Sequence, residues 1–233
     1  MSNFLRTGRK IVAIGRNYAD HAKELGNAIP KGKWTDQHHA LTRLDSKLTL
    51  VEPFFFLKPT SSYISPGEGP VELPKGTIVH HEVELGVVIG KNGRDIPKSE
   101  AESYIAGYAL AVDMTARNVQ DAVKKKGLPW TTAKGFDTFC PVGPFIPKSK
   151  IPDVAQVGLH FTINGSVKQS GTAKDMIFGE GDLILTGTPA GVGPISDGET
   201  FEAKMTYPGV DGEVLDKFEF VCKTRGGGYE FKG

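Results

Sequence analysis

Short apolar runs, most of them strand-sized and each stopped by glycine or proline, constrain this chain more than any other feature. With 29 glycines and 15 prolines in 233 residues, few stretches can hold a helix of several turns. Glycine loses too much backbone entropy there, and proline lacks the N–H that the helix needs. The runs at 11–15, 54–58, 82–91, 107–113, 157–163, 182–186, 200–207 and 213–222 read as strands. Asn164-Gly165 is a type I′ hairpin signal just after the fifth of these. Three helices are expected. One is short, at 18–25; one opens after Pro97 on the capping box Ser99-x-x-Glu102; one covers 115–126 and stops at Gly127, before Pro129. The reading is a β-rich α+β fold with long loops. Without repeats or a shift in composition, residues 1–233 form one domain, and an apolar fraction of 39% supports a core.

Net charge is +1 with acids and bases interspersed, so there is no electrostatic footprint for nucleic acid or an anionic membrane. No run of about 18 apolar residues offers a membrane span. Cys140 and Cys222 are far apart and lack metal-ligand spacing, which fits inert thiols in a reducing compartment. Arg6, Arg9, Lys10 and Arg16 precede the first acid, Asp20, as in a mitochondrial presequence, but a strand at 11–15 leaves little room for one. Mitochondrial matrix or cytosol is the expected location, and no secretory segment is seen.

The chemistry concentrates in His80-His81-Glu82-Val83-Glu84-Leu85-Gly86. Strand side chains alternate between faces, so Glu82 and Glu84 share one face while Val83, Leu85 and Val87 share the other. Paired carboxylates repel unless something positive sits between them, and hard dications prefer oxygen ligands. Asp113, at the end of the apolar run 104–112, is a third candidate ligand. Three carboxylates on one metal would make a Lewis-acid site with open positions. Two plainer readings stand beside this: Glu-x-Glu on a solvated strand face, and Asp113 as a cap for the following helix. His80 and His81 read as loop or supporting residues, because zinc would want imidazole or thiolate at defined spacing.

Four further features are candidates. Arg117 and Gln120 fall on one helix face at i, i+3 and can bind a carboxylate or carbonyl. His21 and Glu24, also at i, i+3, make either a surface ion pair or a water-activating base. Lys134 sits in a loop after Pro129-Trp130, either solvated or held in place. The glycine-rich loop at 185–194 can turn backbone N–H groups and the Thr188 hydroxyl toward an anion, or can simply be a tight turn. It lacks the lysine and spacing of a nucleotide-binding loop.

Ile14-Gly15-Arg16-Asn17-Tyr18, Phe56-Leu57-Lys58-Pro59, the His80 to Gly86 motif, Asp113-Met114-Thr115-Ala116-Arg117, Ala133-Lys134 and Leu185-Thr186-Gly187-Thr188-Pro189 stand in an ordered series along the chain. With these motifs the chain resembles the fumarylacetoacetate hydrolase superfamily, specifically its small acylpyruvase, oxaloacetate decarboxylase and oxaloacetate tautomerase members. The resemblance implies a mixed β-roll or barrel with few short helices, a homodimer, and Mg²⁺ or Mn²⁺ on Glu82, Glu84 and Asp113. It implies that Arg16, Arg117, Gln120 and Thr188 bind substrate. It also implies that His21, Glu24 and Lys134 are catalytic, the His21–Glu24 segment being a lid. A small keto acid would give an enolate when a C–C bond breaks or a proton leaves. Hydrolysis of acylpyruvates is the first expectation, with decarboxylation and keto–enol tautomerisation of oxaloacetate beside it. A silent keto-acid-binding homologue and a purely structural β-domain are the alternatives from other classes.

The chain departs from this pattern twice. Residues 32–51 form an extra polar segment of roughly 20 residues that reads as a loop. Near Gly179 an amphipathic helix of about four turns is missing, which should uncover apolar surface beside the strand at 182–186. One or both departures read as gene-model errors, with an intron donor read through at Gly32-Lys33-Trp34 and an exon piece missing downstream, an expectation that a transcript continuous across both junctions would refute.

Overall fold

The computed structural model describes residues 4–15, 18, 54–173, 184–208 and 213–232. The expected helix at 18–25, apart from Tyr18, and the insertion at 32–51 lie outside these residues, as does the segment at 174–183.

Two open sheets carry the fold. The first has six strands, in the order Ile146–Pro147 (β10), Ile105–Val112 (β7), Val83–Ile89 (β6), Ile184–Leu185 (β13), Ile11–Gly15 (β1) and Phe54–Lys58 (β2). The second has five: Ser166–Thr172 (β12), Gly158–Ile163 (β11), Thr200–Tyr207 (β15), Glu213–Thr224 (β16) and Val71–Leu73 (β4). Both are mixed, since β1 runs parallel to β13 and β16 parallel to β4 while their other pairs are antiparallel. A small sheet joins Gly193–Pro194 (β14), Val79–His81 (β5) and Thr115–Ala116 (β8). Tyr63–Ile64 (β3) pairs with Cys140–Pro141 (β9). The described helices are short: Phe4–Thr7 (α1), Lys98–Ala101 (α2), Arg117–Lys125 (α3) and Thr131–Lys134 (α4). This is the β-rich α+β architecture that the punctuated sequence implies.

The six-stranded sheet is buried on both faces. Val83, Leu85, Val87, Leu110 and Val112 pack with Phe161, Phe201 and Phe220 of the five-stranded sheet. Each such side chain contributes roughly 1.5–3 kcal/mol on burial. The opposite face packs Ile11, Ala13, Phe56, Val88, Ala109 and Leu185 against Phe4 and Val142. Hence β6 is not half-exposed: six of its seven residues are buried, and the solvated-face reading of Glu-x-Glu falls.

Several boundaries differ from expectation. The strand expected at 82–91 breaks at Glu82 and ends at Ile89, and that expected at 107–113 spans 105–112. The expected capping box is absent. α2 starts directly after Pro97, which caps without a side-chain bond, and Ser99 lies inside the helix. Proline has no N–H and its φ is already fixed, so it suits a helix start better than the interior. α3 starts at Arg117 rather than 115, because Thr115 and Ala116 pair with His80 and Val79 as a strand. The expected hairpin forms: Asn164 and Gly165 have φ of 48° and 80°, between Ile163 and its partner Ser166. Two positive φ values are what a type I′ turn requires. Cys140 and Cys222 are buried free thiols, both pushed up to about 12 by burial. The edge strand β2, separated from β13 by β1, leaves Phe55 74% and Leu57 48% exposed. No helix among the described residues is long and apolar enough to cross a membrane.

Candidate metal centre

Glu82 and Asp113 occupy matching breaks in two neighbouring chain segments. Glu82 separates β5 from β6, Asp113 lies between β7 and β8, and the Asp113 N–H donates to the Glu82 carbonyl at 2.8 Å. At Glu82 the chain enters the six-stranded sheet from the small one, and at Asp113 it returns to the small one. Glu84 follows on β6, opposite Ala111 and therefore on the face away from the Leu85 cluster. The three carboxylates converge: one oxygen from each lies within 4.8 Å of the others, and exposures are 6%, 2% and 1% for Glu82, Glu84 and Asp113. Asp113 does not cap the next helix, whose N-cap is Ala116.

Buried carboxylates at this separation need positive partners. Three arrive from three elements. Lys58, at the end of β2, donates to Asp113 Oδ1 at 2.6 Å and to the Met114 carbonyl at 3.2 Å. Lys134, at the end of α4, bridges Glu82 Oε2 (2.9 Å) and Asp113 Oδ2. Arg117, the first residue of α3, donates from Nη2 to Glu82 Oε1 at 2.6 Å and from Nη1 to Gln120 Oε1 at 2.5 Å. Glu84 is held differently, accepting the Gly187 N–H on Oε2 at 2.7 Å. Gly187 has φ of +95°, a conformation that glycine adopts at little cost and that aims its N–H at the carboxylate. Formal charges of the three acids and three bases cancel.

Electrostatics set Glu84 apart. Burial, then Asp113 and Glu82, push its carboxyl well above the usual range, and Lys134 and the Gly187 N–H only partly offset them. Burial opposes the charge on Lys134, but Asp113 and Glu82 outweigh it and hold the ammonium above its ordinary value. His80 is pushed down to about 4, first by burial and then by Arg117. The set fits a hard dication: three anionic oxygens within reach, no thiolate or imidazole among them, and one carboxyl that favours a proton until a metal replaces it.

The structure thus brings together Glu82, Glu84, Asp113, Lys134, Arg117 and Gln120, all named from the sequence. Lys134 ends a short helix rather than sitting in an open loop, and its ammonium lies 4.9 Å from the Phe56 ring centroid. Thr188 is near as well, but its hydroxyl donates to the Val83 carbonyl at 2.8 Å. Its single proton is therefore committed to the protein. Arg16, His21 and Glu24 lie outside the described residues. Lys58 had no role assigned from sequence, although it stands in the motif Phe56-Leu57-Lys58-Pro59 that carries the resemblance. Gln169, 1% exposed on the distant strand β12, gave no signal at all.

Comparison with known proteins places this arrangement. The profile of the fumarylacetoacetate (FAA) hydrolase C-terminal family matches residues 10–179. A Dictyostelium discoideum protein named oxaloacetate decarboxylase, mitochondrial, is 47% identical over 241 residues, covering 97% of this chain and all of that one. The human protein named oxaloacetate tautomerase FAHD1, mitochondrial, is 44% identical over 219 residues, covering 87% of this chain and 90% of its own. Among solved structures, yeast ynq8, a fumarylacetoacetate hydrolase family protein, superposes with a TM-score of 0.77 at 34% identity over the whole of both chains. Fumarylpyruvate hydrolase from Pseudomonas aeruginosa, in complex with Mn²⁺ and pyruvate, gives 0.71 at 29% identity, covering 93% of this chain and 90% of its own.

Proposed function

Since the chain belongs to the fumarylacetoacetate hydrolase family, we propose that it is a divalent-metal-dependent enzyme of small β-keto acids, with oxaloacetate as first substrate. The observation that carries this reading is the buried trio Glu82, Glu84 and Asp113, with Lys134 bridging two of its members. The relatives named as oxaloacetate decarboxylase and tautomerase support the substrate, and the Mn²⁺–pyruvate complex of the fumarylpyruvate hydrolase supports the metal.

Glu82, Glu84 and Asp113 are the residues that would hold Mg²⁺ or Mn²⁺. When bound, the dication supplies electron withdrawal from the 2-oxo group and makes an enolate accessible. Lys134 is buried, cationic and adjacent, so it offsets the negative charge that develops on the enolate oxygen. The neutral balance of acids and bases becomes +2 once a dication enters, which matches the two carboxylates of oxaloacetate. In decarboxylation the C3–C4 bond breaks, CO₂ leaves, and the pyruvate enolate takes a proton at C3. In tautomerisation a C3 proton leaves and one is returned to the 2-oxo oxygen. Neither needs attacking water. Hydrolysis of an acylpyruvate does, and His21 oriented by Glu24 is the pair proposed for it. Arg16, Arg117 and Gln120 are proposed to line the substrate carboxylate; Thr188, expected beside them, gives its hydroxyl proton to the Val83 carbonyl and has none left to donate to a carboxylate. Mitochondrial placement follows the relatives' names, and a homodimer is proposed from the family resemblance.

The test is Glu82→Gln against wild type with added Mg²⁺ or Mn²⁺. Oxaloacetate decay, enol-oxaloacetate absorbance and acetylpyruvate loss are followed separately. All activities that use the enolate should fall by at least about 100-fold; activity near wild type in any of them removes the metal from that reaction. A His21→Ala arm separates hydrolysis, which should vanish, from decarboxylation, which should persist.

A further inference from the structure

Gln169 makes four hydrogen bonds around the backbone that supports the acidic centre. It is the one inward-facing polar side chain of β12, and its amide is engaged at both ends. Oε1 accepts the Val83 N–H at 3.1 Å and lies 2.9 Å from His81 Nδ1. Nε2 donates to Thr188 Oγ1 at 2.7 Å and to the Pro189 carbonyl at 2.8 Å. The Val83 N–H can only donate and the Pro189 carbonyl can only accept, so the orientation of the amide is fixed. It follows that His81 carries its proton on Nδ1. Its Nε2 is buried with no partner among the described residues, and the ring is held by stacking on Phe161 at 4.2 Å.

Val83 lies between Glu82 and Glu84. Its N–H is taken by Gln169 and its carbonyl by Thr188, which Gln169 also holds. The Gly187 N–H that grips Glu84 comes from the same loop as Thr188. One amide on β12 therefore ties the backbone between the two glutamates to the loop that orients one of them. We propose that Gln169, braced by His81, is a positioning residue that sets the spacing of Glu82 and Glu84 for a dication. The proposal rests on the metal reading of those carboxylates.

Mn²⁺ affinity, measured by electron paramagnetic resonance of free Mn²⁺ and by calorimetry, tests it without reference to turnover. The proteins are wild type, Glu84→Gln, Gln169→Leu, His81→Phe and the control Ile151→Ala, a buried site with no bond to the trio. Loss of an outer support of a metal ligand weakens binding roughly 10- to 100-fold. That range is expected for Gln169→Leu, a smaller loss for His81→Phe, which keeps the ring stack, and no change for Ile151→Ala even if its melting point falls as far. If wild type does not bind Mn²⁺, or Glu84→Gln binds as well as wild type, the metal reading itself fails. If wild type binds and Gln169→Leu stays within about twofold of it, the positioning role is wrong while the metal reading stands. Should Gln169→Leu not fold, His81→Phe decides: undiminished affinity overturns the proposal.

Discussion

Lys58→Met tests the charge logic of the centre directly. The lysine side chain is fully buried and sits 2.6 Å from Asp113 Oδ1. Methionine matches its stem in length and apolar character but removes the charge and both hydrogen bonds. Removing one partner of a buried ion pair costs about 3–5 kcal/mol, because the other charge is left uncompensated. Lys134 still contacts Asp113, so the low end, about 3 kcal/mol, is expected. At this chain length each kcal/mol is worth roughly 2–4 °C, giving a metal-free Tm about 6–12 °C below wild type. The second half of the prediction is the reverse sign with metal. Without Lys58 the three acids and the two remaining bases, Arg117 and Lys134, carry one formal net negative charge, so a dication meets less opposing charge. Differential scanning fluorimetry with chelator and then with Mn²⁺ measures both. Mn²⁺ should raise the variant's Tm by more than it raises wild type's. A chelated Tm within about 2 °C of wild type, or equal increments with Mn²⁺, would refute the reasoning.

Two other expectations concern residues outside the acidic centre. Burial pushes the Asp216 carboxyl up to about 6, with the Lys217 N–H partly offsetting it, and its Oδ2 is buried without a partner among the described residues. A raised acid stabilises the fold while protonated, so its contribution is present below its ordinary value and lost as pH rises through about 6. Asp216→Asn should therefore leave Tm unchanged near pH 4 and raise it near pH 7.5 by roughly 2–4 °C, about 1 kcal/mol after solvent screening; equal Tm differences at both pH values would count against it. Phe55→Ser, at a largely exposed edge-strand position, should shift stability by no more than about 0.5 kcal/mol while lowering concentration-dependent light scattering. Scattering unchanged by the substitution would show that this face does not self-associate.

Strand positions were legible where apolar alternation ran for five residues or more. β1, β2 and β15 lie at the bounds expected of them. Two- and three-residue strands such as β4, β8 and β14 were not, because periodicity has no meaning at that length. The same limit hid the break at Glu82, since a continuous run of alternating residues does not say where a chain changes sheets. In the site, the acids were visible because clustered like charges demand an explanation. Their counter-charges were less so. Lys58 and Arg117 come from separate segments 55 and 35 residues from the acids they meet, a pairing only tertiary structure can set. Gln169 was invisible because a single amide in a polar strand carries no pattern.

The acidic trio is mounted on one strand and on two sheet breaks that main-chain bonding stitches together. Whatever all these reactions hold in common is thereby frozen into the scaffold. Selection acting elsewhere in the molecule can alter which keto acid enters, or whether water joins it, without rebuilding the electron sink. Diversification within such a lineage should accordingly leave the scaffold alone and rewrite its periphery.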